Sequence, residues 1–377
     1  MEVVNYILLA FAAVAAIDRI FGSRLGLGRD FERGISMAGP LILAMGGMLV
    51  LYPVISELLM GISGGSSKYF DFSIIPAALL ANDMGASQIA MSLAASPEAG
   101  LLTGMVVSSM MGCTVSFLIP YVLQVTAKER HSDVIFGLLC GIIMIPVGVL
   151  VSGIMLRVEF ISLLFLLLPL VGFAGLLALG ILRFEKATVK LFLGLGWVIK
   201  LIITFGLIIG IIDFVTGYKI IPGTDSLESV MKTVATILCV MVGAFPLLSI
   251  LEKLIKKPLV AMGRRLRIND TAAFGFFVTL GTSLTTFEME SKMDRRGLIF
   301  NSAFAVSASF TFMDHLAWTM AVAPETTAAV VVGKIVSGIA AVAFAILMCK
   351  IRGIESVKTE DDSVSGAVDI LKQEFKK

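Results

Sequence analysis

The stretch Leu80–Gln88 reads LANDMGASQ and interrupts an otherwise apolar run, with 74–80 before it and 89–95 after it. A carboxylate (Asp83), an amide (Asn82) and a helix breaker (Gly85) at bilayer depth are costly. Such a break persists only where it is buried in protein or lines a wet cavity. Asp83 at the turn fits two roles: an N-cap accepting from the free N–H groups of the returning arm, or an acidic contact for a cation. The adjoining segments carry no Lys or Arg, so the cation expected there comes from outside the chain. A second polar break, 282–288, offers Thr282, Ser283, Thr285 and Thr286. Hydroxyls beside freed backbone carbonyls suit a small polar solute or Na⁺, and they equally bond back to their own helix. Asp314-His315 in ASFTFMDHLAWTM is the third costly feature. The two point different ways around a helix, while Trp318 shares the face of Asp314. A carboxylate beside an aromatic face makes a cage for an ammonium group. The plainer role is an Asp that locks helix to helix, with His315 and Trp318 at the interface. The expected ligand contacts are therefore Asn82, Asp83, Gly85, Thr282, Ser283, Thr285, Thr286, Asp314, His315 and Trp318.

Other chemistries find no residues to carry them. Nucleophile–base sets, Walker or GxGxxG loops and metal-ligand spacings are absent. With two histidines and four scattered cysteines, neither a metal site nor a cofactor is expected. Cys113, Cys140, Cys239 and Cys349 read as small buried hydrophobes. Asp18-Arg19 reads as a local ion pair at a helix end. An enzyme and a nucleic-acid partner are both unexpected.

The frame that positions these residues is a membrane domain. Hydrophobic residues make up 57% of the chain and charged ones 15%, against roughly 25% charged in a soluble protein; the mean hydropathy is +0.96. The excess recurs as runs of about 20 residues, enough to cross ~30 Å of hydrocarbon as a helix. They lie near 3–20, 34–60, 74–95, 100–125, 133–156, 160–182, 190–215, 229–252, 271–290, 297–320 and 327–349. Period-two alternation is absent, which argues against a barrel. The N-terminus begins acidic and is expected to remain as the first helix.

The positive-inside rule orients the runs. Arg19, Arg24, Arg29 and Arg33 put the first loop inside, as do Lys128 with Arg130, Arg183 with Lys186 and Lys190, the basic run 253–267, and Lys292 with Arg295 and Arg296. Both flanks of 74–95 then lie outside and both flanks of 271–290 inside, so each must enter and return as a re-entrant hairpin. Each arm of about ten residues reaches mid-bilayer. The expected architecture is all-α and polytopic, with about nine transmembrane helices plus two re-entrant hairpins, the N-terminus outside and the C-terminus cytoplasmic.

The chain also repeats. Residues 34–156 and 229–351 are equally long and run helix, hairpin, helix, helix. LYPVISELL (51–59) resembles AFPLLSILE (244–252), and MVVSSMMG (105–112) resembles FAVSASFT (304–311). By charge the copies start on opposite sides, which makes an inverted-topology repeat of the kind found in secondary transporters. The domains expected are 1–33 (first helix and loop), 34–156 (repeat 1), 157–228 (linking helices), 229–351 (repeat 2) and 352–377 (cytoplasmic tail).

Several of these stretches resemble the ethanolamine utilisation permease family, EutH. They are AAIDRI (15–20), PAALLANDMGAS (76–87), MMGCTVSFLIP (110–120), GIIMIPVG (141–148), KKPLVAMGRRLRINDTAA (256–273) and MDRRGLIFNSAFAVSASFTFMDHLAW (293–318). The likeness runs from about residue 5 to 350. It implies a multi-pass protein of the bacterial cytoplasmic membrane that admits ethanolamine. Asp83-Met84-Gly85 matches the family's DMG element and Asp314-His315-Leu316 its DHL element. The chain departs at Ala86, where a second Gly stands in the family, and at 282–288, where an Asn-Asn pair and a Pro-Met-Phe run stand. Ethanolamine at neutral pH is a small cation with one hydroxyl, which an acidic group with hydroxyl and amide partners suits. The alternatives are a transporter of another solute, such as a nucleoside or a Na⁺-coupled organic ion, and a membrane sensor without flux. A moving bundle needs a fixed partner surface, so homo-oligomerisation in the bilayer also stays open.

Overall fold

The computed structural model describes residues 2–63, 65–67 and 69–354. The proposed tail, 352–377, lies almost wholly outside the described residues. Those described form helices and no strand. Among the described residues, seven helical spans are long and apolar enough to cross a membrane: Leu27–Ile62, Pro97–Val125, Lys128–Met155, Phe160–Phe184, Lys186–Thr216, Leu227–Leu266 and Pro324–Ile351. Large apolar side chains such as Leu164, Leu168, Leu176 and Leu179 point out of the fold, as a hydrocarbon solvent rather than water demands.

In chain order, α1 is Glu2–Ile20 and α2 is Leu27–Ser36, which leads through a π-helical stretch, Ile42–Gly46, into α3, Gly47–Ser63. Two short helices follow, α4 (Ile74–Leu79) and α5 (Ala86–Leu93). The span Pro97–Val125, α6, is π-helical over Leu102–Gly112 and Thr114–Leu118. Then come α7 (His131–Met155), α8 (Phe160–Thr216) and α9 (Leu227–Leu266). A second short pair is α10 (Asp270–Gly281) and α11 (Ser283–Glu288). The last three are α12 (Arg295–Ala308), α13 (Asp314–Val322) and α14 (Thr327–Ile351).

The structure departs from the sequence reading in four places. The runs 160–182 and 190–215 meet without a loop, across a kink at Phe184 (φ −134°, ψ 44°). The basic run 253–267 is not a loop, because α9 continues through it to Leu266. Helix α9 ends where Arg267 turns left-handed and Ile268 N donates to Gly263 O, a C-terminal cap. The first loop folds from Leu27 into α2, with Asp18 accepting from the backbone N–H of Leu25 and Gly28, each at 2.9 Å. Most consequentially, 297–320 is not one crossing: residues 309–313 break it into α12 and α13.

Each of the three polar features thus coincides with a backbone break, and neighbours supply what the break frees. At the first, Leu80 and Ala81 are extended, Asn82–Met84 is one 3-10 turn, and Gly85 is left-handed at φ +87°. A glycine takes that conformation without steric cost. Ser116 Oγ accepts from Ala81 N at 3.2 Å, and Ser87 Oγ donates to Asn82 O at 2.7 Å. Helix α6 lies backbone to backbone against this turn. A Cβ on Gly112 would fall on the carbonyl oxygen of Leu80 and 2.6 Å from that of Ala77.

At the second break Thr282 is extended and its Oγ1 accepts from Leu284 N, capping α11. At the third, Phe310 takes φ +60°, a strained conformation for a bulky residue, costing about 1–3 kcal/mol. Its N–H donates to Thr279 O at 3.2 Å, and Phe312 N to Leu280 O at 2.9 Å. The second and third breaks therefore satisfy one another.

Candidate functional site

The breaks meet. The Asn82–Met84 turn packs against α13, and Ala81, Cys113 and Phe310 share one buried cluster with Met84 and Phe117 at its edge. Asp83 and Asp314 are close enough to repel one another electrostatically. Both are half-buried. Asn82 beside them is fully buried, and neither its Oδ1 nor its Nδ2 has a hydrogen-bond partner among the described residues. A buried amide left unpaired costs roughly 1–3 kcal/mol, which a bound polar group would recover.

The internal cation at this site is one the sequence reading missed. Lys334, from α14, is fully buried. Its Nζ donates to Ser109 O at 2.8 Å and approaches His315 Nδ1 at 3.0 Å. The Ser109 carbonyl belongs to the π-helical part of α6. With an ammonium on Nδ1, the ring accepts there and carries its proton on Nε2. Lys334 attracts Asp83 but hydrogen-bonds neither Asp83 nor Asp314 among the described residues. The cation expected at Asp83 from outside the chain would thus have an internal ammonium near it. A lysine at the centre of the apolar run 327–349 was the available clue, since an ionisable group at that depth is functional by default. Arg33 is the other addition. It is half-buried, attracts both Asp30 and Asp314, and lies 4.5 Å over the Phe245 ring.

The remaining expected contacts divide. Gly85 shapes the turn, and His315 is buried against Lys334. Trp318 is fully buried and donates its indole N–H to Ser87 Oγ at 3.0 Å, which braces α13 against α5. Thr286 is tied to Thr279 Oγ1 at 2.9 Å and faces into its own hairpin. Thr285 is buried, Thr282 caps α11, and Ser283 Oγ is buried without a partner among the described residues. Of the second break, then, Ser283 is the residue whose side-chain oxygen is buried and unpartnered among the described residues.

Clefts open at the surface among the described residues. One of about 330 Å³ is lined by Met84, Ser116 and Lys200 among others and so reaches the first break. Another, of about 220 Å³, is bounded by Asp71 and Glu159 and by none of the break residues. Among the described residues no group of His, Cys, Asp and Glu is arranged to hold a metal ion.

Comparison with known proteins places this geometry in a family. The family model described as "Ethanolamine utilisation protein, EutH" matches residues 1–348. A protein of Listeria monocytogenes named "Probable ethanolamine permease EutH" is 39% identical over 349 residues, spanning 92% of this chain and 94% of that protein. The protein of the same name in Escherichia coli K12 is 31% identical over 404 residues, spanning 97% and 99%. "Uncharacterized protein YxeR" of Bacillus subtilis is 32% identical over 361 residues, spanning 95% and 97%. No solved structure is significantly similar. On the extent of the family match and of these identities, the chain belongs to the EutH family.

Proposed function

We propose that the protein is a permease of the bacterial cytoplasmic membrane that admits ethanolamine, or a small amino alcohol cation like it. The observation that carries this reading is the pair Asp83 and Asp314, two accessible carboxylates deep in an apolar fold, beside the unpartnered amide of Asn82. Two carboxylates prefer a cation. An amide with a free donor and a free acceptor suits a hydroxyl, which is both. Ethanolamine carries these two groups two carbons apart. The names of the relatives point to the same solute.

The transport architecture belongs to the same proposal. We take 34–156 and 229–351 as the two copies, each running long span, broken pair, third element, long span, although the third element is the continuous span Pro97–Val125 in the first copy and is broken at 309–313 in the second. With opposite orientation set by the charged loops, these are inverted repeats, and α4–α5 and α10–α11 are re-entrant hairpins meeting near the midplane. Carbonyls and helix N-termini at the breaks then line the path, and α1 starts outside while the C-terminus lies inside.

The test is uptake of labelled ethanolamine into proteoliposomes, with Asp83→Ala as the control. Protein-dependent uptake abolished by the substitution is expected. Equal rates with and without protein would remove the reading.

A further inference from the structure

Lys334 is not required to explain an amine site; a fixed ammonium there opposes the ligand. Its geometry nevertheless holds it firmly. Nζ is placed by the Ser109 carbonyl on α6 and by His315 Nδ1 on α13, which use two of its three N–H groups and hold it away from a direct bond to either carboxylate among the described residues. It nonetheless acts on Asp83 through space, and Asp83 acts on Asp314. The other charged groups that reach the site are Arg33 and, through it, Asp30, which offset one another; Asp30 also bonds the Ser249 side chain and faces Lys253, which is exposed to solvent. Lys334 thus faces Asp83 and Arg33 faces Asp314, and with Asp30 also drawing on Arg33 a single negative charge is left for the ligand to match.

We infer that Lys334 is a specificity-determining residue that sets the charge of the ligand, admitting monocationic amines and rejecting dicationic ones. This rests on the reading of the site as an amine site but adds what that reading does not contain. In a low-dielectric interior an unmatched unit charge is expensive, so discrimination by charge count is steep. A second ammonium on the ligand would face Lys334 with no carboxylate left to balance it. Without Lys334 the two carboxylates carry two charges, which a diamine balances and a monoamine does not.

The experiment measures binding to the full-length protein in lipid nanodiscs for three amines: ethanolamine, ethylamine (a monocation without the hydroxyl) and 1,3-diaminopropane (a dication at neutral pH). The wild type is expected to prefer the monoamines over the diamine by about 100-fold, the scale of one uncompensated charge inside a protein. Lys334→Met should narrow or reverse that ratio by a similar factor, and Lys334→Arg should keep it. A lysine that merely ties α14 to α6 and α13 would, when replaced, weaken all three amines together and leave the ratio alone. That result would overturn the inference. So would a wild type that binds the diamine as well as ethanolamine, which decides the matter even if Lys334→Met does not fold. Binding of ethylamine but not ethanolamine, with the diamine rejected, would sink the ethanolamine reading and leave the charge match standing. Failure to bind any of the three amines would overturn both.

Discussion

Trp318 donates its indole N–H to Ser87 Oγ at 3.0 Å, and that bond fastens the helix after the third break to the helix after the first. Ser87 Oγ in turn donates to Asn82 O at 2.7 Å, inside the turn that carries Asp83. One hydroxyl thus connects α13, α5 and the turn. Ser87→Ala leaves a buried indole N–H unpaired and should cost about 1–3 kcal/mol. Trp318→Phe removes that donor along with part of a large buried ring. Thermal unfolding in detergent should show both variants less stable. Ethanolamine binding should weaken in both, because the geometry of Asp83 against Asp314 depends on the brace.

Gly112 is where the backbone of α6 passes closest to the first break. A methyl group there would fall on the Leu80 carbonyl, and its neighbours are backbone atoms that cannot rotate away. Gly112→Ala should therefore reduce folded yield and abolish uptake. Gly172→Ala is the control, since a Cβ at that helical position meets nothing within 4 Å. It should be neutral or slightly stabilising, as alanine is the better helix former by about 1 kcal/mol. Size-exclusion profiles of the two variants would separate a packing defect from a general intolerance of substitution.

How the site could be read from residues alone depends on where its causes lie. The first break was legible because its own sequence carries the reason: Asn82, Asp83 and Gly85 are a turn with a carboxylate in it. Seven long apolar spans were legible for the same local reason. The third break was not. ASFTFMD holds no Gly or Pro, and Phe310 is forced to φ +60° by backbone partners on α10, at Thr279 and Leu280. The π-helical register of α6, over Leu102–Gly112, has no signal in its composition either. Lys334 was visible, but its residue type alone does not say that its partners are Ser109 and His315, 225 and 19 positions away.

A second set of polar contacts ties 126–133 to 290–295. Arg130 pairs with Glu290 Oε2 at 3.1 Å, also donates to the Glu290 carbonyl, and reaches Met293 O at 2.8 Å. Glu290 accepts from Ala127 N as well. The side chains of this pair are 21% and 7% exposed, against 54% and 56% for Arg19–Glu32. Breaking a largely buried pair costs about 3 kcal/mol or more, while an exposed pair contributes at most about 1 kcal/mol. Arg130→Met should accordingly lower the melting temperature clearly and Arg19→Met hardly at all. Equal effects would mean that the Arg130 cluster adds no more than a surface contact.

Asp83 and Asp314 should show stability and function pulling in opposite directions. The two carboxylates repel one another, an opposition that Lys334 and Arg33 offset in part and a bound cation relieves further. Asp83→Asn removes the repulsion and keeps the shape of the turn. The ligand-free variant should melt higher than the wild type, as substitutions at charged functional sites do when the charge serves binding. Ethanolamine binding should meanwhile fall about 100-fold, the usual scale for truncating one member of a buried charge pair. Added ethanolamine should raise the melting temperature of the wild type and not of the variant. A structural N-cap role for Asp83 predicts no such rise in the ligand-free protein, because Asn caps as well as Asp, and it predicts a loss of about 1 kcal/mol for Asp83→Ala, which removes the cap. The presence of that rise in Asp83→Asn, read without any ligand, decides whether the carboxylate serves the fold or the passage of a cation.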